Sequence, residues 1–199
     1  MTDLFETTSR PDCITKDDEE CLRTLISGAK PSALSGDTKY SLFKIFNAYI
    51  MPVCGQLFPF KIGGYHGEKH TRQVGRFVLD IRLSNDWNPL PALFAAAIHD
   101  RARTGDSYNE RHGPDAVPIA QALLAGLFKN WLCGEQKECV CEAIRCHTTG
   151  RNATDPIAAT FWDYDRIRLS WERAYRPEFF STQRGKELAS MSKIQQSAY

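Results

Sequence analysis

The stretch Leu90-Pro91-Ala92-Leu93-Phe94-Ala95-Ala96-Ala97-Ile98-His99-Asp100 decides the fold. Its first nine residues are apolar throughout, with no alternation and no polar stripe. A helix that is apolar on every face is a central, buried one. This helix delivers an imidazole and a carboxylate at its C-terminal end. An ionised aspartate carried into such surroundings needs a partner, and a divalent cation is the simplest one.

Outward from this helix the pattern stays helical. Before it, Val74, Phe77, Val78 and Ile81 follow His70 at i+4, i+7, i+8 and i+11, the period of an amphipathic helix. Asn85 to Pro89 reads as the loop between the two. Earlier still, Asp17-Asp18-Glu19-Glu20 charges the first turn of a helix through Cys21, Leu22, Leu25 and Ile26, placed well for its dipole. Gly28 and Pro31 end it. A second helix is predicted over 38–51. Pro52, Gly55, Pro59, Gly63 and Gly64 mark 52–64 as loop. After the central helix, 101–113 is polar and predicted to be an exposed loop. Helical patterns then cover 115–129, 136–147 and about 155–176. The polar tail 182–199 is expected to be partly frayed. The spacing predicts an all-α chain of roughly seven helices. It divides into an N-terminal helical extension (1–60), a single helical domain (61–181) and the tail (182–199).

Composition excludes several classes. The 199 residues carry 25 Lys+Arg against 24 Asp+Glu, and 42% are hydrophobic. That is ordinary for a globular chain able to bury a core. A net charge of +1 argues against a dedicated nucleic-acid surface, which needs a basic face. No apolar run approaches the length of a membrane span. Met1 to Glu6 has neither a basic nor an apolar leader region, so a cytoplasmic location is expected. The seven cysteines fit no Cys-x-x-Cys pair. They are expected to be reduced, mostly buried thiols.

The five histidines, His66, His70, His99, His112 and His147, all fall near predicted helix ends or loops. His66 and His70 share one helix face if the helix begins by His66. The order of His70, then His99-Asp100, then a late aspartate resembles the HD-domain metal-dependent phosphohydrolases, over about residues 62–172. The matching segments are His66 to Val74, Ala95 to Asp100, His112-Gly113, Ala143 to His147 and Asp163-Tyr164-Asp165-Arg166-Ile167. The resemblance implies a single HD-type helical domain. It implies His70, His99, Asp100 and Asp165 as metal ligands, with Asp163 the competing choice for the last. His112 and His147 match the extra histidines of two-metal members, in which Asp100 would bridge ions about 3.5–4 Å apart.

Imidazole and carboxylate ligands without thiolate suit one or two ions of Mn, Fe, Ni, Co, Zn or Mg. The chemistry implied is hydrolysis of a phosphate ester or anhydride by a metal-activated water. The substrate class implied is a small phosphorylated metabolite, above all a nucleotide. His66 is the candidate proton donor or positioner. Arg103 and Arg101, directly after the His-Asp pair, and Arg166 after Asp165 are candidates for phosphate contact. Lys69 and Arg72, on the helix of His70, are further ones. Asp106, in the loop before His112, is placed to orient an arginine or a ligand histidine. The chain departs from several branches of the family. Arg103-Thr104 stands where guanosine tetraphosphate hydrolases have Glu-Asp. No Gly-Tyr-Pro motif is present. Arg101-Ala102-Arg103 replaces the Gly-His-Pro of the deoxynucleotide triphosphohydrolases. Two other readings of the same residues stand beside the hydrolase: a regulatory module that binds without catalysis, and a di-iron oxygenase. Phe43, Phe46, Tyr49 and Phe58 offer aromatic area for a homodimer face, or for packing against the domain.

Overall fold

The computed structural model describes residues 14–28, 38–55, 66–80, 88–170 and 177–190. Every regular element among them is helical. Helix α1 (Lys16–Ile26) opens on a capping box. The Thr15 hydroxyl accepts from the Asp18 N–H at 3.2 Å, and the Asp18 carboxylate accepts from the Thr15 N–H at 2.8 Å. Gly28, at φ +82°, ends it, in a left-handed conformation that glycine adopts without strain. Helix α2 (Thr38–Ile45) runs through a π turn, Phe46–Ile50, into α3 (Met51–Gly55). The N–H of Met51 reaches back to the carbonyl of Phe46. Pro52 has no N–H to give and crowds the preceding turn, which accounts for a wide turn just before it. The helix therefore passes through Pro52 to Gly55, where loop was expected. The rest of that loop lies outside the described residues.

Helix α4 (Glu68–Asp80) and α5 (Leu90–Ile98) follow. Asn88 starts α5, its side-chain oxygen accepting from the Leu90 N–H at 3.0 Å while its amide donates to the Leu25 carbonyl. Every residue of α5 is buried, as its composition requires. It lies against α4, α7 and α8, the centre of the molecule. Helix α6 (His112–Ala125), α7 (Gly134–Cys146) and α8 (Pro156–Ser170) surround it. A 3-10 turn, Pro177–Phe179, leads to α9 (Gln183–Ser190). Phe94 meets Phe128 and Trp131 edge-on, with centroids 4.9 and 5.9 Å apart. Each such pair adds about 0.5–1.5 kcal/mol beyond its burial. Trp162 donates to the Ala143 carbonyl at 2.8 Å, fixing α8 to α7.

The structure bears on three further expectations. Residues 101–113 do not form a simple exposed loop, because Arg101, Arg103 and His112 are buried. The tail forms α9 over its first part, with Gly185 and Leu188 buried, because Leu188 joins the core. Residues 191–199 lie outside the described residues. Phe46 and Tyr49 are buried in the same core as α4 and α5, and Phe43 packs partly against it, so these rings cover the domain and do not present a dimer face. Phe58 lies outside the described residues. Among the described residues no helix is long and apolar enough to cross a membrane.

Candidate metal centre

Four helices, α4, α6, α7 and α8, bring their ends or faces to the C-terminal end of α5. His70 sits in the first turn of α4. His99 is the C-cap of α5, its N–H bonded to the Ala95 carbonyl, and Asp100 follows. His112 opens α6, His147 is the C-cap of α7, and Asp165 lies on α8. All six are buried. Gly113 lets α6 and α7 approach: a Cβ there would lie 2.8 Å from the Ile144 carbonyl and 2.9 Å from that of Arg145.

Three of the four imidazoles are tied to the backbone through Nδ1. His99 Nδ1 lies 2.9 Å from the Ala96 carbonyl and His147 Nδ1 2.7 Å from that of Ile144. His112 Nδ1 bonds the carbonyl of Asn109. A carbonyl only accepts, so the proton of each neutral ring is on Nδ1 and its Nε2 carries a lone pair. These Nε2 atoms point at one another and at two carboxylates. His99 Nε2 is 3.2 Å from Asp100 Oδ2, 3.5 Å from Asp165 Oδ1 and 3.3 Å from His70 Nε2. His70 Nε2 is 3.0 Å from Asp165 Oδ1 and 3.6 Å from Asp100 Oδ2. His112 Nε2 is 3.3 Å from Asp100 Oδ1 and 2.7 Å from His147 Nε2. Acceptors facing acceptors in a buried site need a proton or a metal ion between them. Asp100 Oδ2 and His70 Nδ1 are both buried without a hydrogen-bond partner among the described residues. The residues present fit a divalent cation: His70, His99 and Asp165 form one group with ligand spacing, and His99, Asp100 and His147 another.

The electrostatics say the same. Burial opposes charge on His99, but Asp100 and Asp165 outweigh it and push the imidazole up to about 10. Burial also works against ionised Asp100 and Asp165. The histidines around them nevertheless hold both well below the usual carboxylate range. Burial, with the charge on His99 beside it, pushes His147 down to about 3. The cluster thus accepts positive charge between His99 and the carboxylates. It refuses a second proton on the neighbouring ring.

Around this centre the other expected residues divide. His66 is joined to Asp106, whose Oδ1 accepts from the His66 N–H at 3.3 Å and lies 3.1 Å from its Nδ1. Asp106 is thus joined to His66, which is not one of the expected ligands. The His66 ring meets that of His70 edge-on, centroids 5.7 Å apart. Arg103 donates to Asp100 Oδ1 at 2.8 Å. Arg101 is buried. Asp163 is not in the cluster: it accepts from the Ser181 N–H, the Thr182 N–H and the Thr182 hydroxyl at 2.8, 2.7 and 2.6 Å. Asp165, not Asp163, faces the histidines. Arg166 is turned away to the carbonyls of Phe179 and Gly150. Arg72 is held by Glu68 and Asn47, and Lys69 is exposed. These three are not gathered with the histidines and the two aspartates.

The sequence reading missed Phe161, one turn before Asp165, whose ring lies 5.1 Å from that of His99 and 5.8 Å from that of His147. It is fully buried and lays an apolar face against both rings, and its i−4 spacing from Asp165 is the signal for it. Of the described thiols, Cys21 and Cys141 are buried, but Cys133 is exposed and Cys139 and Cys146 are half-buried, so the expectation of mostly buried cysteines holds for the first two. A cavity of about 680 Å³ between α6 and α7, lined by Leu124, Lys137, Cys141 and Arg145 among others, shares no residue with the centre. Comparison with family models, with curated proteins and with solved structures finds no match.

Proposed function

We propose that this chain is a metal-dependent phosphohydrolase of the HD-domain type, acting on a small phosphorylated metabolite such as a nucleotide. One observation carries the reading: buried imidazole Nε2 atoms, three of them with tautomers set by backbone carbonyls, converge on Asp100 and Asp165. His70, His99, Asp165 and Asp100 Oδ2 would hold one divalent ion, and His112, His147 and Asp100 Oδ1 a second. When bound, such an ion supplies Lewis acidity, making a nucleophile of water near neutral pH and drawing charge from a phosphoryl group. The chain does the rest. The backbone carbonyls of Ala96, Asn109 and Ile144 keep Nε2 of His99, His112 and His147 available, the usual support for a ligating histidine. Phe161 excludes water from one side. Burial holds the His66 imidazole below its ordinary value, so at neutral pH the ring is uncharged. With Nδ1 on Asp106, its Nε2 accepts or positions a proton, which favours the positioning role over that of proton donor.

The test is metal content of the purified full chain by mass spectrometry, followed by release of phosphate or pyrophosphate from a nucleotide panel after reconstitution. Stoichiometric divalent metal and hydrolysis, both lost in Asp100→Ala with the helical circular-dichroism signal retained, are expected. Absence of metal before and after reconstitution, or full metal in Asp100→Ala, overturns the assignment.

A further inference from the structure

The two oxygens of Asp100 are not equivalent. Oδ2 faces His70 and His99 and takes no hydrogen-bond donor among the described residues. Oδ1 faces His112 at 3.3 Å but already takes the guanidinium of Arg103 at 2.8 Å. That guanidinium is buried and fixed, its Nη1 donating to the carbonyls of Gly105 at 3.3 Å and Ser107 at 3.2 Å. A permanent positive charge therefore sits beside the His112–His147 half of the centre. The other half has Asp165 as a second carboxylate, against His70 and His99. Like charges at close range in a dry site repel strongly.

Resting on the metal reading above, we infer that Arg103 makes the second cation depend on an anion of the phosphate class. The first dication more than balances Asp100, Asp165 and Arg103 together. A second leaves an excess of positive charge that only a multiply charged anion cancels. A phosphoryl group brings that charge and suits a guanidinium, whose planar fork matches phosphate oxygens. The His70–His99–Asp165 half fills alone. The His112–His147 half fills together with the phosphate group. Because coupling is reciprocal, phosphate in turn binds more tightly once the second ion is available.

The experiment is Mn²⁺ titration of the chelator-stripped full chain, read by loss of the free-ion electron paramagnetic resonance signal, with and without inorganic phosphate. One equivalent is expected without phosphate. A second is expected with it, at an affinity raised roughly tenfold or more, within the usual range of coupled binding. Arg103→Gln is expected to take the second equivalent without phosphate. Arg103→Lys, which keeps the charge, is expected to stay at one equivalent without phosphate, as wild type does, and controls for loosening of the loop. Two equal equivalents in wild type without phosphate overturn the inference and leave the metal reading intact. So does a single equivalent under both conditions, or no effect of Arg103→Gln. No Mn²⁺ uptake at all overturns the metal reading itself.

Discussion

Asp163 and Asp165 stand two residues apart on α8 and do different work. Asp165 meets the Nε2 atoms of His70 and His99. Asp163, fully buried, receives three hydrogen bonds from Ser181 and Thr182 and so pins the start of α9. A group accepting several charge-assisted hydrogen bonds costs about 1.5–3 kcal/mol to remove. Asp163→Ala is therefore expected to lower stability by about 2–3 kcal/mol while the folded protein still takes up metal. Asp165→Asn is expected to weaken metal binding by more than the roughly 10–100-fold that loss of a supporting group costs. Urea melts and metal analysis of the two variants side by side check this, and the reverse pattern would exchange their roles. The six residues that converge were marked in the sequence by the resemblance of their order to that of a known family. The arginines were not legible in the same way. Arg166 ends on carbonyls 13 and 16 residues away, and Arg72 on Asn47, 25 residues back. A long side chain with several donors finds partners that only tertiary structure brings near.

At the scale of elements, the contact between α6 and α7 is what places His112 against His147. It depends on Gly113, where any Cβ would press on the Ile144 and Arg145 carbonyls and come within 3.1 Å of His147 Nδ1. Gly113→Ala is expected to cost about 1–3 kcal/mol, as overpacking does, and to part the two imidazoles. Its metal stoichiometry with phosphate present should fall to that of the His70–His99–Asp165 half alone, whereas two equivalents would show that the close approach does not govern the second half. Helix α1 gives a pH-dependent case. Burial disfavours the Asp18 carboxylate, yet hydrogen bonds from Ser41, Thr15 and Lys44 hold it well below its usual 3.8, and Lys44 on α2 lies 2.9 Å away. A lowered carboxylate contributes its stability in full above its unfolded value and loses it as pH falls below that. Stability measured from pH 6 to pH 2 should therefore drop less steeply in Asp18→Asn than in wild type, and equal slopes would remove Asp18 from the acid limb. The helices themselves were largely legible, since α1, α4, α5, α6, α7 and α8 follow apolar spacing and end signals. The continuation through Pro52 was not, because a π turn leaves no mark in hydrophobic periodicity, and neither was α9, whose short apolar pattern depends on Leu188 finding the core.

The core runs without interruption from Ile14 to Leu188. Phe46, from the N-terminal helices, lies against Gly75 of α4, the helix that carries His70. The metal centre and the extension should therefore unfold as one unit, and their joint pH dependence follows from two histidines. In the metal-free chain His99 is raised to about 10, so its contribution is complete below the unfolded value of 6.5 and is lost as pH rises toward 10. His147 is lowered to about 3. The unfolded chain takes up its proton below 6.5 while the folded chain resists, so stability also falls as pH drops from 6.5 toward 3. For these groups the metal-free protein is most stable near pH 6.5. Ligation needs unprotonated imidazoles and so competes with the His99 proton. Saturating metal, at about a hundred times its dissociation constant, adds roughly 2.7 kcal/mol. The rise in melting temperature on adding Mn²⁺ to chelator-stripped protein should thus be absent at pH 5, appear by pH 7 and grow toward pH 9, always as one transition. A shift independent of pH would mean that the ion does not displace a proton from His99. A separate, metal-insensitive transition would mean that the N-terminal helices fold apart from the site they support.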